Sequence, residues 1–207
     1  MVVSKQRGKR SSEEAAKTRQ AILDIALISF SENGFDKTSL RDIAERAGVS
    51  HGILRHHFGS KMALWQEVVS QAFDYFEERM LPLVLAGKKG NAYDALRRVV
   101  IGFIDISLSK PEFARLFVRE SQSDNERSRY CRQRFQSLHG AIETLFSQAQ
   151  TVAPGLRRYT NDSFFYCLMS LTYFRLVFPQ MGPELKHPVS EVIPSQKDLI
   201  LDLLLPT

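Results

Sequence analysis

Apolar residues recur at helical spacing along most of the chain, and no stretch alternates polar and apolar residues as a strand does. Glycine- and proline-containing turns, such as GKKGN and Lys110-Pro111, separate the helical segments. We therefore expect an all-α protein with about nine helices. They are predicted at about residues 13–33, 39–46, 50–58, 60–85, 91–109, 111–121, 124–150, 160–178 and 195–205, with loops at 152–158 and 179–194.

The second and third predicted helices are short and are joined by a tight turn. Ser39 and Ser50 stand at their starts as N-caps, and Gly48 supplies the turn between them. Ile53 is predicted to fill the joint between the two helices, which leaves the opposite face of the third helix polar. Residues 38–58 therefore have the spacing of a helix-turn-helix motif, which places its second helix in the major groove of DNA.

The distribution of charge favours a polyanionic partner at the N-terminal end. The chain has 28 Lys and Arg against 23 Asp and Glu, a net charge of +5. Residues 1–61 hold 11 basic and 7 acidic residues, a net of +4, so the other 146 residues hold 17 and 16, a net of +1. Residues 1–12 have basic residues, no acid and no apolar periodicity, and they are predicted to form a disordered basic arm.

Residues 18–65 resemble the DNA-binding domain of the tetracycline-repressor-like (TetR) family. The similarity lies in an ordered series of segments: Gly-Phe at 34–35, TSLRDIA at 38–44, AGVS at 47–50 and HFGSK at 57–61. The resemblance implies a transcriptional regulator with a helical ligand-binding and dimerisation domain after the DNA-binding domain. We expect an arm at 1–12, the helix-turn-helix domain at 13–61 and the ligand-binding and dimerisation domain at 62–207.

The resemblance also implies which residues contact the double-stranded DNA operator. Thr38 would bind a phosphate through its hydroxyl and backbone amide, and Lys61 would bind another beside the fourth helix. The family usually has Tyr at position 55, whereas Arg55 stands here and can bind a phosphate or a guanine. The expected DNA contacts are Thr38, Ser39, Ser50, His51, Gly52, Arg55, His56, His57 and Lys61, with Lys5, Arg7, Lys9 and Arg10 of the arm.

The C-terminal two-thirds is where an effector would bind. Most of its many aromatic residues are expected to form the core. Charged residues within its apolar helices need either an ion-pair partner or a polar ligand, and surface ion pairs explain them equally well. The expected effector is a small apolar or amphipathic molecule. The candidate ligand-binding residues are Phe103, Phe117, Arg119, Glu120, Phe164, Tyr173 and Arg175.

The last two predicted helices favour a homodimer. The helix at 160–178 is apolar on nearly all sides, and residues 199–205 are similar, which indicates that a second chain covers part of them. In the TetR family these two helices commonly pair with those of a second subunit. A two-fold dimer would present two recognition helices to a roughly palindromic operator. The bound dimer would repress transcription until the effector releases the protein from the operator.

Other functional classes have weaker support. Residues 48–52 satisfy the G-x-S-x-G motif of α/β-hydrolases, but that motif needs a preceding β-strand, and a helix precedes it here. His51, His56 and His57 lack the spacing of a zinc site, so we expect no enzyme activity, metal or cofactor. A DNA-binding architectural or cell-division protein without an effector remains an alternative, because it would have the same DNA-binding domain.

The remaining features concern the cellular compartment. No apolar run reaches the roughly 18 residues of a membrane span, and the N-terminus does not have the pattern of a signal peptide. Cys131 and Cys167 are too few for a disulfide scaffold and are expected to be reduced thiols within helices. We therefore expect a cytoplasmic protein that does not bind a membrane.

Overall fold

A computed structural model describes the backbone of residues 3–87, 90–179 and 189–205, with side chains from residue 13 in the first helix and from residue 196 in the last. These residues form nine α-helices and no strand, so the all-α prediction is confirmed. The helices are α1 (Val3–Lys37), α2 (Leu40–Arg46), α3 (His51–Phe58), α4 (Lys61–Ala86), α5 (Ala92–Ser109), α6 (Pro111–Ser121), α7 (Glu126–Val152), α8 (Asn161–Val177) and α9 (Val189–Leu204).

The chain divides into two compact units, residues 1–72 and 73–207. Their boundary falls inside α4, later than the predicted boundary after residue 61. The first turns of α4 belong to the first unit because Leu64 and Trp65 are fully buried there. Trp65 packs edge-on against Phe35 with ring centroids 6.4 Å apart.

The first helix differs from the sequence prediction at its beginning. The predicted disordered arm is corrected for residues 3–12, which continue α1. The physical reason is that a helix already formed downstream is extended at much lower cost than a new helix is started. At Gly34 the backbone leaves the helical region, with φ 79° and ψ 168°, a conformation that glycine adopts without a steric penalty. Phe35 then folds back and stacks on Phe30 at 5.9 Å, so the predicted break at Gly34 is present.

The second unit is built around aromatic contacts between its helices. Phe76 of α4 packs against Phe103 of α5 at 5.7 Å, and Phe103 stacks on Tyr173 of α8 at 5.5 Å. Phe73 of α4 meets Phe113 of α6 edge-on at 5.1 Å. These contacts hold α4, α5, α6 and α8 around one core, in agreement with the expectation that most aromatic residues are structural.

The connections of the second unit also differ in part from the prediction. The segment expected as a loop at 152–158 contains a 3-10 helix, Pro154–Arg158, because Leu156 is buried and anchors a tight turn. The last helix begins at Val189 rather than near residue 195. Most of the predicted connection at 179–194, residues 180–188, lies outside the described residues. Within the part of the chain that the structure describes, no helix is long and apolar enough to cross a membrane.

Candidate nucleic-acid interface

Two capped helices and a glycine turn form the helix-turn-helix segment, as predicted. The Oγ of Ser39 accepts a hydrogen bond from the Asp42 amide at 3.1 Å and caps α2, and the Oγ of Ser50 accepts one from the Ile53 amide at 3.2 Å and caps α3. Gly48 lies in the turn between them with φ 67°. Ser50 is thus a helix cap between two helices and not the strand-end serine of a hydrolase.

The buried face of α3 differs by one residue from the prediction. Leu54 and Phe58 are buried, whereas Ile53, expected to fill the joint, is 44% exposed. Residues 54 and 58 lie four apart and therefore on one side of the helix. The guanidinium of Arg19 on α1 lies 5.2 Å from the centre of the Phe58 ring, which further fixes this side toward α1.

The exposed face of α3 collects most of the predicted DNA-contacting residues. His51, Gly52, Arg55 and His56 are all exposed, and Ser50 is exposed at the start of the helix. His57 is half-buried beside them. The helix contains no acidic residue, and its last turn carries Arg55, His56 and His57. This face can therefore donate hydrogen bonds and present positive charge to an anionic partner.

Thr38 lies directly before the N-cap of α2, and its polar groups are hydrogen-bonded within the protein. It is buried, and its hydroxyl donates to the carbonyl oxygens of Gly34 at 2.7 Å and Ser29 at 3.2 Å. Its amide donates to the Phe35 carbonyl at 3.2 Å. Both groups expected to bind a phosphate make hydrogen bonds at the end of α1, and the Thr38 contact stays a prediction. Ser39, one residue later, is exposed.

Lys61 lies at the start of α4, half-buried against α1. Its Nζ is 4.4 Å from the centre of the Phe35 ring and donates to the Asp36 carbonyl at 3.3 Å. The aromatic ring and the carbonyl therefore fix the position of the ammonium group. The side chains of Lys5, Arg7, Lys9 and Arg10, predicted to contact DNA from the arm, lie outside the described residues.

The predicted effector residues do not form one site. Phe103, Tyr173 and Phe117 belong to one continuous set of aromatic contacts, in which Phe117 lies 5.6 Å from Phe135. Phe164 instead packs against Phe146 at 4.7 Å. Burial raises the pKa of the Tyr173 phenol, and a hydrogen bond with Ser107 partly offsets this shift. These aromatic residues therefore form the core of the second unit.

The charged candidates have separate surroundings. Glu120 is buried and forms an ion pair with Arg127, so its partner is inside the protein and the reason for assigning it to a ligand is lost. Arg119 is exposed on α6. Arg175 is half-buried, and its Nη1 donates to the Oε1 of Gln196 at 2.8 Å.

Arg175 also lines a pocket between α5, α8 and α9, called here the α5–α9 pocket. It is a small cavity of about 50 Å³ that opens to solvent. Its other members could not be predicted from the sequence, because they come together from three helices far apart in the chain. Thr172 carried the one available signal, a polar residue in an apolar helix. The lining residues are Ile104, Leu108, Thr172, Arg175, Leu176, Gln196, Lys197 and Ile200.

Comparison with known proteins agrees with this architecture. Residues 22–68 match the family model described as bacterial regulatory proteins, tetR family. The chain is 30% identical over 146 residues to the biofilm operon icaADBC negative transcriptional regulator IcaR of Staphylococcus aureus strain Newman, which is 70% of each chain. The protein therefore belongs to the TetR family of bacterial regulatory proteins.

A second relative and a solved structure extend the comparison. The chain is 37% identical over 113 residues to the transcriptional regulator RutR of Escherichia coli strain K12, which covers 55% of this chain and only about half of RutR (51%). The fold resembles that of AibR, whose crystal structure contains isovaleryl coenzyme A and operator DNA. The TM-score is 0.70 at 20% identity, covering 91% of this chain and 98% of AibR.

Proposed function

We propose that this protein is a transcriptional repressor that reads a specific DNA operator with the exposed face of α3. The observation that carries the proposal is the division of this helix into two sides. Leu54 and Phe58 are buried, while His51, Arg55 and His56 are exposed on a helix without acidic residues. Side chains of these types donate to base edges and phosphates in a major groove.

Phosphate contacts would come from residues outside α3. The ammonium group of Lys61 is held over the Phe35 ring, and Ser39 is exposed at the start of α2. The basic residues Lys5, Arg7, Lys9 and Arg10 would add contacts to phosphates or to the minor groove. Contacts of this kind fix the protein on the duplex and make its affinity depend steeply on salt.

A homodimer through α8 and α9 would present two such helices to a palindromic operator. Five large apolar side chains on or beside these two helices are more than half exposed. A set of this size on neighbouring helices is typical of a surface that another chain covers. They are Tyr166, Phe174, Phe178, Leu199 and Leu203.

A small ligand in the second unit would release the operator. AibR, the structural neighbour, has been solved with isovaleryl coenzyme A and operator DNA, and IcaR is a negative transcriptional regulator. An effector that binds better to the conformation with low operator affinity shifts the protein toward it. The α5–α9 pocket is the part of the second unit where we expect a small amphipathic molecule to bind.

The proposal is tested by selecting genomic DNA fragments with the purified protein, followed by footprinting and a salt titration. We expect a short palindromic footprint whose affinity falls steeply with salt. Arg55→Ala should weaken this binding, whereas Arg97→Ala, which changes an exposed arginine of the second unit, should not. Weak binding spread over all fragments, without a protected site, would instead support the effector-independent architectural protein.

A further inference from the structure

The α5–α9 pocket contains a buried hydroxyl, that of Thr172. Thr172 is only 4% exposed, and its Oγ1 has no hydrogen-bond partner among the residues that the structure describes. Threonine in a helix commonly donates to the carbonyl one turn before it, so an unused hydroxyl that lines a pocket requires an explanation. A polar ligand in the pocket would supply the missing hydrogen bond.

The same pocket presents two cations. The Nη1 of Arg175 is held by Gln196, whose Nε2 in turn donates to the Leu171 carbonyl at 2.9 Å, so the amide acts as a support for the guanidinium. A guanidinium has five N–H donors, and the bond to Gln196 leaves others for a ligand. Lys197 also lines the pocket, and its Nζ forms an ion pair with the Oδ1 of Asp105 at 2.6 Å.

The remaining walls are apolar. Ile104 of α5 and Ile200 of α9 are buried, and Leu108 and Leu176 complete the lining. Asp105 balances the charge of Lys197, so among the described lining residues Arg175 supplies the positive charge for a ligand, next to an aliphatic surface. This combination favours a ligand with an anionic group at one end and a short aliphatic chain at the other.

We propose that the α5–α9 pocket binds a small aliphatic carboxylic acid, with its carboxylate on Arg175 and Thr172 and its chain against Ile104 and Ile200. The inference rests on the proposed function, because the acid is the effector that the repressor would sense. A ligand held between α5, α8 and α9 contacts both helices of the proposed dimer interface. It can therefore change how these helices pack, which is what an effector must do to alter operator binding.

The experiment measures binding of butyrate and hexanoate to the full-length protein by calorimetry, with hexanamide and inorganic phosphate as comparisons. We expect hexanoate to bind at least tenfold more tightly than hexanamide, since the amide loses the charge on the oxygen atoms. Arg175→Gln should weaken hexanoate binding by about tenfold or more, the usual effect of removing a hydrogen bond between charged groups. Arg97→Gln is the matched control and should bind like the natural protein.

Thr172→Val separates a ligand contact from a structural role. Valine has nearly the same shape and replaces the hydroxyl with a methyl group, and the hydroxyl has no hydrogen bond to lose among the described residues. We therefore expect the melting temperature of the ligand-free variant to be unchanged or higher, while its affinity for hexanoate falls several-fold. If the variant is more stable but binds hexanoate as tightly as the natural protein, Thr172 does not contact the ligand.

Operator binding is measured on the same preparations, so that the two proposals fail separately. Binding of the operator without binding of either acid would overturn the carboxylate site and leave the repressor proposal standing. Arg175-dependent binding of phosphate but not of hexanoate would also overturn it, because the apolar wall would then have no role. Hexanoate binding that depends on Arg175, in a protein without an operator, would support the pocket and contradict the repressor.

Discussion

The Nε of Arg127 donates a hydrogen bond to the Oε2 of Glu120 at 3.1 Å, and this ion pair joins the end of α6 to the first turn of α7. Glu120 is 3% exposed and Arg127 is 18% exposed at the side chain, so both charges are largely removed from water. A buried charge costs free energy unless its partner is present. The pair therefore fixes the α6–α7 connection, and it favours the ion-pair explanation of Glu120 over the ligand contact.

Removal of this carboxylate should destabilise the protein strongly. We expect Glu120→Ala to lower the free energy of unfolding by about 3 kcal/mol, because Arg127 loses its buried partner. Urea denaturation followed by circular dichroism measures the change.

Asp124→Asn is the matched control at the same connection. The Arg132 guanidinium hydrogen-bonded to Asp124 lowers the pKa of that exposed carboxyl, but an exposed ion pair contributes little to stability. Equal effects of the two variants would contradict the assignment.

The Cys131 thiol should make stability depend on pH in the alkaline range. Burial, with a smaller contribution from the Glu120 carboxylate, raises its pKa from 9.0 to about 12. Above pH 9 the unfolded chain loses this proton while the folded protein keeps it, so stability falls as the pH rises toward 12. By about pH 10.5 this loss should reach about 2 kcal/mol. Urea titrations of the natural protein and Cys131→Ala should diverge by this amount, and parallel curves would contradict the prediction.

The charge of Lys61 should act on all DNA sequences alike. Lys61→Met keeps an unbranched stem over Phe35 and removes the ammonium group. We expect operator and non-specific DNA to lose affinity by the same factor, and the salt dependence to fall by about one released counterion. Filter binding over a salt series measures both. A salt slope equal to that of the natural protein would show that Lys61 does not contact a phosphate.

His51 should act differently, because it lies at the start of the exposed face of α3. We expect His51→Ala to lower operator affinity and to relax preference at one base position in each half-site, by about 1–3 kcal/mol for the contacted pair. Selection of binding sites from a randomised operator with each protein measures this preference. A uniform loss across all positions would assign His51 to the phosphate backbone instead.

The exposed apolar residues of α8 and α9 should control the oligomeric state. Leu203→Glu places a charge in the proposed interface, and we expect a monomer by sedimentation equilibrium and at least a tenfold loss of operator affinity. Val152→Glu is the control, since Val152 is similarly exposed but lies at the end of α7. A dimer that tolerates Leu203→Glu would place the interface elsewhere.

The sequence by itself determined the local structure of the DNA-binding unit. Ser39 and Ser50 cap their helices as predicted, and Gly48 forms the turn with a positive φ. These features depend on a few neighbouring residues and on backbone preferences, which the chain carries wherever it folds. The helical periodicity likewise fixed the all-α class.

Only the tertiary structure decided which faces are buried and which side chains meet. The pairs Ile53/His57 and Leu54/Phe58 each have the spacing of one face of a two-turn helix. Only the packing of α3 within the first unit decided that Leu54 and Phe58 are the buried pair. The hydroxyl of Thr38, predicted by resemblance to bind a phosphate, makes a hydrogen bond at the end of α1. The α5–α9 pocket joins Ile104, Thr172 and Ile200 from three helices, and contacts over such separations depend on how the helices pack rather than on local pattern.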